Sequence, residues 1–189
     1  MKKVILSLVM LFLTVGVFAQ GQEVPNPANV RIPSGYQGFL EYGNSWTVFD
    51  KEMPNTIGLS TTNGLYFKGN MFTGIGIGFD ACREFALVPI YANMRYVISN
   101  KSTVSPFMSL RLGSYISEQV GAYGDFAFGV RFASKKDFAV SIMLAATYYD
   151  KMTYTDWEDY QDEEGYWQNT RIEKTVNPSS VSLRIGIEW

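Results

Sequence analysis

Val181-Ser182-Leu183-Arg184-Ile185-Gly186-Ile187-Glu188-Trp189 closes the chain. Val181, Leu183, Ile185, Ile187 and Trp189 are apolar, and Ser182, Arg184, Gly186 and Glu188 between them are small or charged. A period of two is the repeat of a β-strand, so this stretch reads as a strand with one apolar and one polar face. It keeps that pattern to its final aromatic residue, where a soluble sheet would trail off in polar residues.

Working back from this strand, the same alternation recurs in segments of about ten residues, rich in Gly, Tyr and Phe and separated by turn signals. Seven precede it: Gly35–Asn44, Thr56–Phe67, Met71–Phe79, Phe85–Val97, Val104–Ile116, Ala122–Phe132 and Phe138–Tyr149. Eight alternating segments and no helical periodicity predict an all-β, antiparallel up-and-down barrel. Pro89 and Pro106 fall inside two of the segments. A closed barrel has no edge strand for proline, so each is expected near a strand end, with a bulge or fraying to absorb the lost donor.

The charges decide which face is outside. Glu41, Arg95, Arg111, Asp125, Arg131, Arg184 and Glu188 all share the face that carries Gly, Ser and Ala. The opposite face carries Tyr36, Phe67, Tyr96, Phe126, Phe128, Phe132 and Trp189, too much bulk for a narrow interior. The expected barrel is therefore transmembrane, apolar outside, with a polar, plugged lumen. If the chain enters from the periplasmic side, Tyr36, Phe67, Tyr96, Phe132, Phe138 and Trp189 form a lower outward belt, and Tyr42, Phe79 and Tyr148 an upper one. Two aromatic belts around an aliphatic band suit a bilayer, where amphipathic rings settle at headgroup level.

The start of the chain agrees. Lys2 and Lys3 precede the apolar run Val4 to Val15, and Val17-Phe18-Ala19 is a small-residue cleavage pattern, so residues 1–19 read as a signal peptide cut between Ala19 and Gln20. The run is too short to span a bilayer as a helix. Residues 20–34, with Pro25, Pro27 and Pro33, read as an extended periplasmic lead-in to a barrel over residues 35–189. Without Lys2 and Lys3 the chain carries 14 basic and 18 acidic residues, which argues against nucleic acid as a partner. Cys82 is the only cysteine, so no internal disulfide forms.

With its signal, the Thr56-Ile57-Gly58-Leu59-Ser60-Thr61-Thr62-Asn63-Gly64 strand, the Gly-alternating Thr73–Phe79 strand and the Ser182–Trp189 end, the chain resembles the small OmpA/OmpX-like eight-stranded outer-membrane barrels. The resemblance implies residence in the cell outer membrane, contact with its lipid, and a terminal strand (Val181, Leu183, Ile185, Ile187, Trp189) read by the barrel-assembly machinery. Such strands more often end in Phe than in Trp. It also implies that the inward ions pair as a salt-bridge network plugging the lumen. Eight strands leave room inside only for side chains, which disfavours a selective pore.

Three further readings follow from composition. A membrane-embedded hydrolase or acyltransferase would ordinarily use a His as base, and the chain has none, which leaves that reading only a Ser–Lys or carboxylate arrangement; no catalytic residue, cofactor or metal is expected. A soluble periplasmic lipocalin-like barrel would bind an apolar ligand, but it would carry its charges outside. Residues 151–177, the longest connection, hold Tyr154, Trp157, Tyr160, Tyr166 and Trp167 among seven carboxylates and three basic residues. Their Thr, Tyr, Trp and Ile content predicts that the last two barrel strands extend past the membrane as a long extracellular hairpin turning near Asp162-Glu163-Glu164-Gly165. It reads either as a contact surface for an extracellular partner or glycan, or as a solvated acidic tip; calcium capture is the weakest reading, because the carboxylate spacing does not match an EF-hand loop. The facing is testable: Leu183→Arg should block membrane assembly, followed as heat-modifiable gel mobility, far more than Ser182→Arg. Equal effects would overturn it.

Overall fold

The computed structural model describes residues 35–48, 55–67, 70–82, 86–98, 103–116, 120–135, 138–150, 152–161 and 167–189. The signal peptide with its Ala19/Gln20 cleavage site, the lead-in, Tyr166 and the turn at residues 162–165 lie outside them. Ten strands follow in order: β1 (Gly35–Thr47), β2 (Thr56–Phe67), β3 (Met71–Ala81), β4 (Ala86–Val97), β5 (Val104–Ile116), β6 (Val120–Lys135), β7 (Phe138–Tyr149), β8 (Met152–Gln161), β9 (Trp167–Val176) and β10 (Ser179–Glu188). Eight of them close a barrel in the order β1-β10-β7-β6-β5-β4-β3-β2, while β8 and β9 pair only with each other. All pairings are antiparallel.

The expected long hairpin is thus a separate two-stranded sheet rather than a continuation of the barrel strands. The barrel wall is still intact at its base, where the Tyr149 N–H donates to the Pro178 carbonyl at 3.1 Å. The predicted β2, β5 and β7 keep their bounds; β1, β3, β6 and β10 run further than alternation alone suggested.

Closure depends on β1 meeting β10. Leu40 faces Ile187 and Tyr42 faces Ile185 across this seam. At its lower end the Gly38 N–H donates to the Trp189 carbonyl at 2.9 Å, and the Trp189 N–H returns to the Gly38 carbonyl at 3.1 Å. A Cβ on Gly38 would sit 2.7 Å from Cε2 of the Trp189 ring, so glycine makes the notch in which the terminal ring rests.

Sidedness follows the alternation. Glu41, Arg95, Arg111, Asp125, Arg131 and Glu188 are buried inside, and all nine belt aromatics are exposed outside. Val181, Leu183, Ile185, Ile187 and Trp189 are also exposed on the outer face. Ser182 is fully buried. An Arg there must therefore overpack the lumen, and Leu183→Arg against Leu183→Phe becomes the cleaner contrast.

Two sequence-based expectations are corrected. The lumen face was expected to be filled by small residues, yet it buries Phe39, Tyr66, Phe72, Tyr91, Phe107, Tyr115, Tyr123 and Tyr149 as well. The glycines make this possible. A Cβ on Gly129 would meet Phe107 at 2.9 Å, one on Gly74 would meet Phe72 at 2.7 Å, and one on Gly76 would overlap the Tyr91 ring. Alternating large and absent side chains fill the narrow interior without strain. The second correction concerns Pro89, for which a bulge or fraying was expected. The β3–β4 ladder skips Gly78 and Phe79 opposite Val88 and Pro89, then resumes as Asp80–Leu87 in unchanged register. The lost donor is absorbed by a local gap. Pro106 stands third in β5, and its carbonyl still accepts the Ile98 N–H at 2.9 Å.

The glycine–ring fit has a measurable consequence. Gly76→Leu should lower the unfolding free energy of the barrel in urea by an amount typical of overpacking, about 1–3 kcal/mol. The outward change Ile77→Leu, one residue along, should leave it nearly unchanged.

Candidate functional site: the ionic plug and the hairpin

The lumen is built in three layers. Toward the lower rim Phe39, Tyr66, Phe72, Val97, Phe107 and Met143 form an apolar cluster. Toward the upper rim Leu87, Tyr91, Tyr115, Tyr123 and Tyr149 form a second. Charged side chains link the two. Glu41 on β1 accepts from Arg95 Nη2 on β4 at 2.6 Å through one oxygen and from Arg111 Nη2 on β5 through the other. Arg111 continues the chain to Asp125 on β6, Nε to Oδ1 at 3.8 Å. Asp125 receives both Nη1 and Nη2 of Arg184 on β10, at 3.1 and 2.6 Å, and the Thr147 hydroxyl at 2.8 Å.

Nearer the lower rim Arg131 on β6 grips Glu188 on β10 bidentately, Nε to Oε2 at 2.8 Å and Nη2 to Oε1 at 2.9 Å. Two parallel charge-assisted bonds are the strongest form of this contact and fix its orientation. All seven residues expected in the lumen network are therefore brought together, five in one continuous chain and two as a separate pair.

Alternation had supplied four arginines but three carboxylates. The fourth is Asp80 on β3, whose Oδ2 accepts the Tyr149 hydroxyl at 2.6 Å. Asp80 shares the parity of Gly74, Gly76 and Gly78, so carrying the third segment one residue past Phe79 would have found it. With Asp80 included, the named lumen ions balance at four of each sign.

Ring faces complete the plug. The Arg95 guanidinium lies 4.1 Å from the Phe39 ring centroid and 4.4 Å from that of Phe107, and Arg111 lies 4.9 Å from Tyr91. Arg95 Nε and Nη1 have no hydrogen-bond acceptor among the described residues. Cation–π attraction in a desolvated site offsets part of that loss. The void bounded by Glu41, Asp80, Tyr91, Arg111, Tyr123 and Arg184 measures about 20 Å³, room for roughly one water. The interior is packed around this layer.

The other predicted site stands apart. Tyr154, Trp157 and Tyr160 lie along β8 and Trp167 opens β9, with Trp157 opposite Arg171 and Tyr160 opposite Gln168. The side chains of these four residues lie outside the described residues, as does Tyr166.

No protein-family model matches the chain, and no curated protein matches it. Among solved structures it is similar to the Neisserial surface protein A, NspA, with a TM-score of 0.57 and 13% identity over 82% of this chain and 95% of that one. Its fold is that of the small eight-stranded outer-membrane barrels. It is also similar to the N-terminal β-barrel domain of Pseudomonas aeruginosa OprF, with a TM-score of 0.45 and 10% identity over 83% of this chain and 100% of that one. At these identities the likeness concerns the fold.

The Arg131–Glu188 pair gives a direct test of the plug. Arg131→Met strands a buried carboxylate and should cost about 3–5 kcal/mol in urea unfolding, the range for breaking a buried pair. Adding Glu188→Gln should recover most of it. A double variant as unstable as the single would show that packing, not charge pairing, sets the cost.

Proposed function

We propose that this chain is a non-enzymatic integral barrel of the cell outer membrane that displays the β8–β9 hairpin to the exterior as a contact surface. The observation that carries the membrane reading is the inverted sidedness: Ile75, Leu112, Phe126 and Ile185 are exposed while Arg95, Arg111 and Arg131 are fully buried. A wall of exposed aliphatics is costly in water, at roughly 25 cal/mol per Å², and costs nothing in hydrocarbon. Closure into a barrel satisfies every strand edge, as a lipid-embedded sheet must. A lipocalin-like soluble barrel requires the opposite facing.

In this reading the belts mark the two headgroup levels, and the outward residues of β10, with Trp189 just after it, serve as the assembly signal. The filled lumen makes the barrel an anchor rather than a channel. The absence of His removes the usual general base, in keeping with a non-catalytic role. The surface role falls to the extracellular loops, and the longest of them is the hairpin, whose 20 described residues are rich in Thr, Tyr and Trp and carry Asp156, Glu158, Asp159 and Glu173 against Arg171 and Lys174. Aromatic side chains on a displayed sheet suit recognition of a protein or glycan.

The two parts separate experimentally. Replacing residues 151–177 by an Asn-Gly turn should leave detergent partition and heat-modifiable mobility unchanged, because the wall is already closed by Tyr149 and Pro178. The same variant should abolish binding of the exterior partner, measured on whole cells or on a glycan array. Loss of folding would show the hairpin to be part of the barrel. Unchanged surface binding would remove its contact role.

A further inference from the structure

The outer wall carries one feature that an anchor in lipid does not need. Among outward positions whose side chains are described, and apart from the belt tyrosines and Asn44, Ser114 and Ser179 toward the upper strand ends, polar side chains occur at Thr61, Asn63 and Thr73. They are neighbours: Asn63 faces Ile75 and Leu65 faces Thr73 across the β2–β3 ladder. On the other side Asn63 stands opposite Gly38, the notch that holds Trp189.

Asn63 is engaged in an unusual way. Its Oδ1 accepts the Tyr36 hydroxyl at 2.7 Å. Tyr36 is opposite Leu65, so its hydroxyl reaches along the wall toward the barrel centre, not down to the headgroups. Thr61, by contrast, satisfies itself by donating to the Phe39 carbonyl at 3.1 Å. An asparagine amide brings two N–H donors and an oxygen with two lone pairs, and hydrocarbon answers none of them.

We propose that this face, centred on Asn63 and flanked by Tyr36, Gly38, Thr61 and Thr73, is where a second copy of the chain docks. Charge complementarity selects that occupant. β1, β2 and β3 contain no Lys or Arg, so the patch has nothing to hold a phosphate headgroup. A neutral amide is self-complementary: it donates and accepts equally, which is what a two-fold contact requires of a residue at its axis. Two Asn63 amides can donate to one another's Oδ1 while each keeps its Tyr36. The contact lies toward the lower ends of β1–β3, whereas the hairpin is joined to the upper ends of β7 and β10, so a dimer displays two hairpins from one paired base.

The proposal rests on the membrane reading above, and the two fail differently: a chain that does not partition into detergent removes both, whereas a folded, partitioning monomer removes only this one. The experiment uses the full chain, carrying Cys82→Ser, in phospholipid vesicles. Asn63→Cys should give a disulfide-linked dimer on oxidation, while Phe126→Cys on β6, across the barrel, should not. In sedimentation in density-matched detergent, Asn63→Leu should weaken self-association about three- to twenty-fold, the range for side-chain hydrogen bonds between helices in bilayers. Its heat-modifiable mobility should match wild type. A wild-type chain that is monomeric at every protein-to-lipid ratio would overturn the proposal. So would an Asn63→Leu variant that associates as wild type does, or native mass spectra showing an Asn63-dependent phospholipid on a monomer.

Discussion

Everything in this barrel depends on placing four guanidinium groups in a space that holds only side chains. A buried cation without a counter-ion is costly enough to exclude the fold, so each arginine must find a carboxylate across the lumen. Glu41 and Arg111 come from opposite sides of the ring of strands, as do Asp80 and Tyr149. These contacts tie opposite walls together. The barrel is closed twice, by the β1–β10 ladder on its circumference and by ions through its middle.

The same crowding explains the glycines. Eight strands leave a bore that cannot accept a large side chain at every inward position. Phe72, Tyr91 and Phe107 fit because Gly74, Gly76 and Gly129 leave a hollow where each ring lies. The rings then serve twice, filling the two ends of the lumen and offering their faces to Arg95 and Arg111. Apolar clusters above and below keep the ionic layer dry, and a dry site strengthens the attraction within it.

Outside, the chemistry is simpler because lipid rewards only apolar area. That simplicity makes departures informative. Trp189 resting on Gly38 makes the terminal residue part of the seam as well as of the lower belt. The amide of Asn63 beside it is the polar group on that wall which hydrocarbon leaves unanswered.

How much of this was legible from the chain alone follows from periodicity. Alternation in Val181–Trp189 and seven similar stretches established the number of barrel strands, the inward and outward faces and the seven-residue ionic set, because a strand's two faces are determined locally. It missed Asp80, which lies just beyond the glycine-marked part of its segment, and the rings inside, because which glycine lies under which ring depends on register between strands. The gap at Pro89, the pairing of Arg131 with Glu188 and the detachment of β8–β9 as their own sheet were likewise decided by tertiary structure. Each requires residues from strands distant in sequence to meet, and period two says which way a side chain points but not what it meets there.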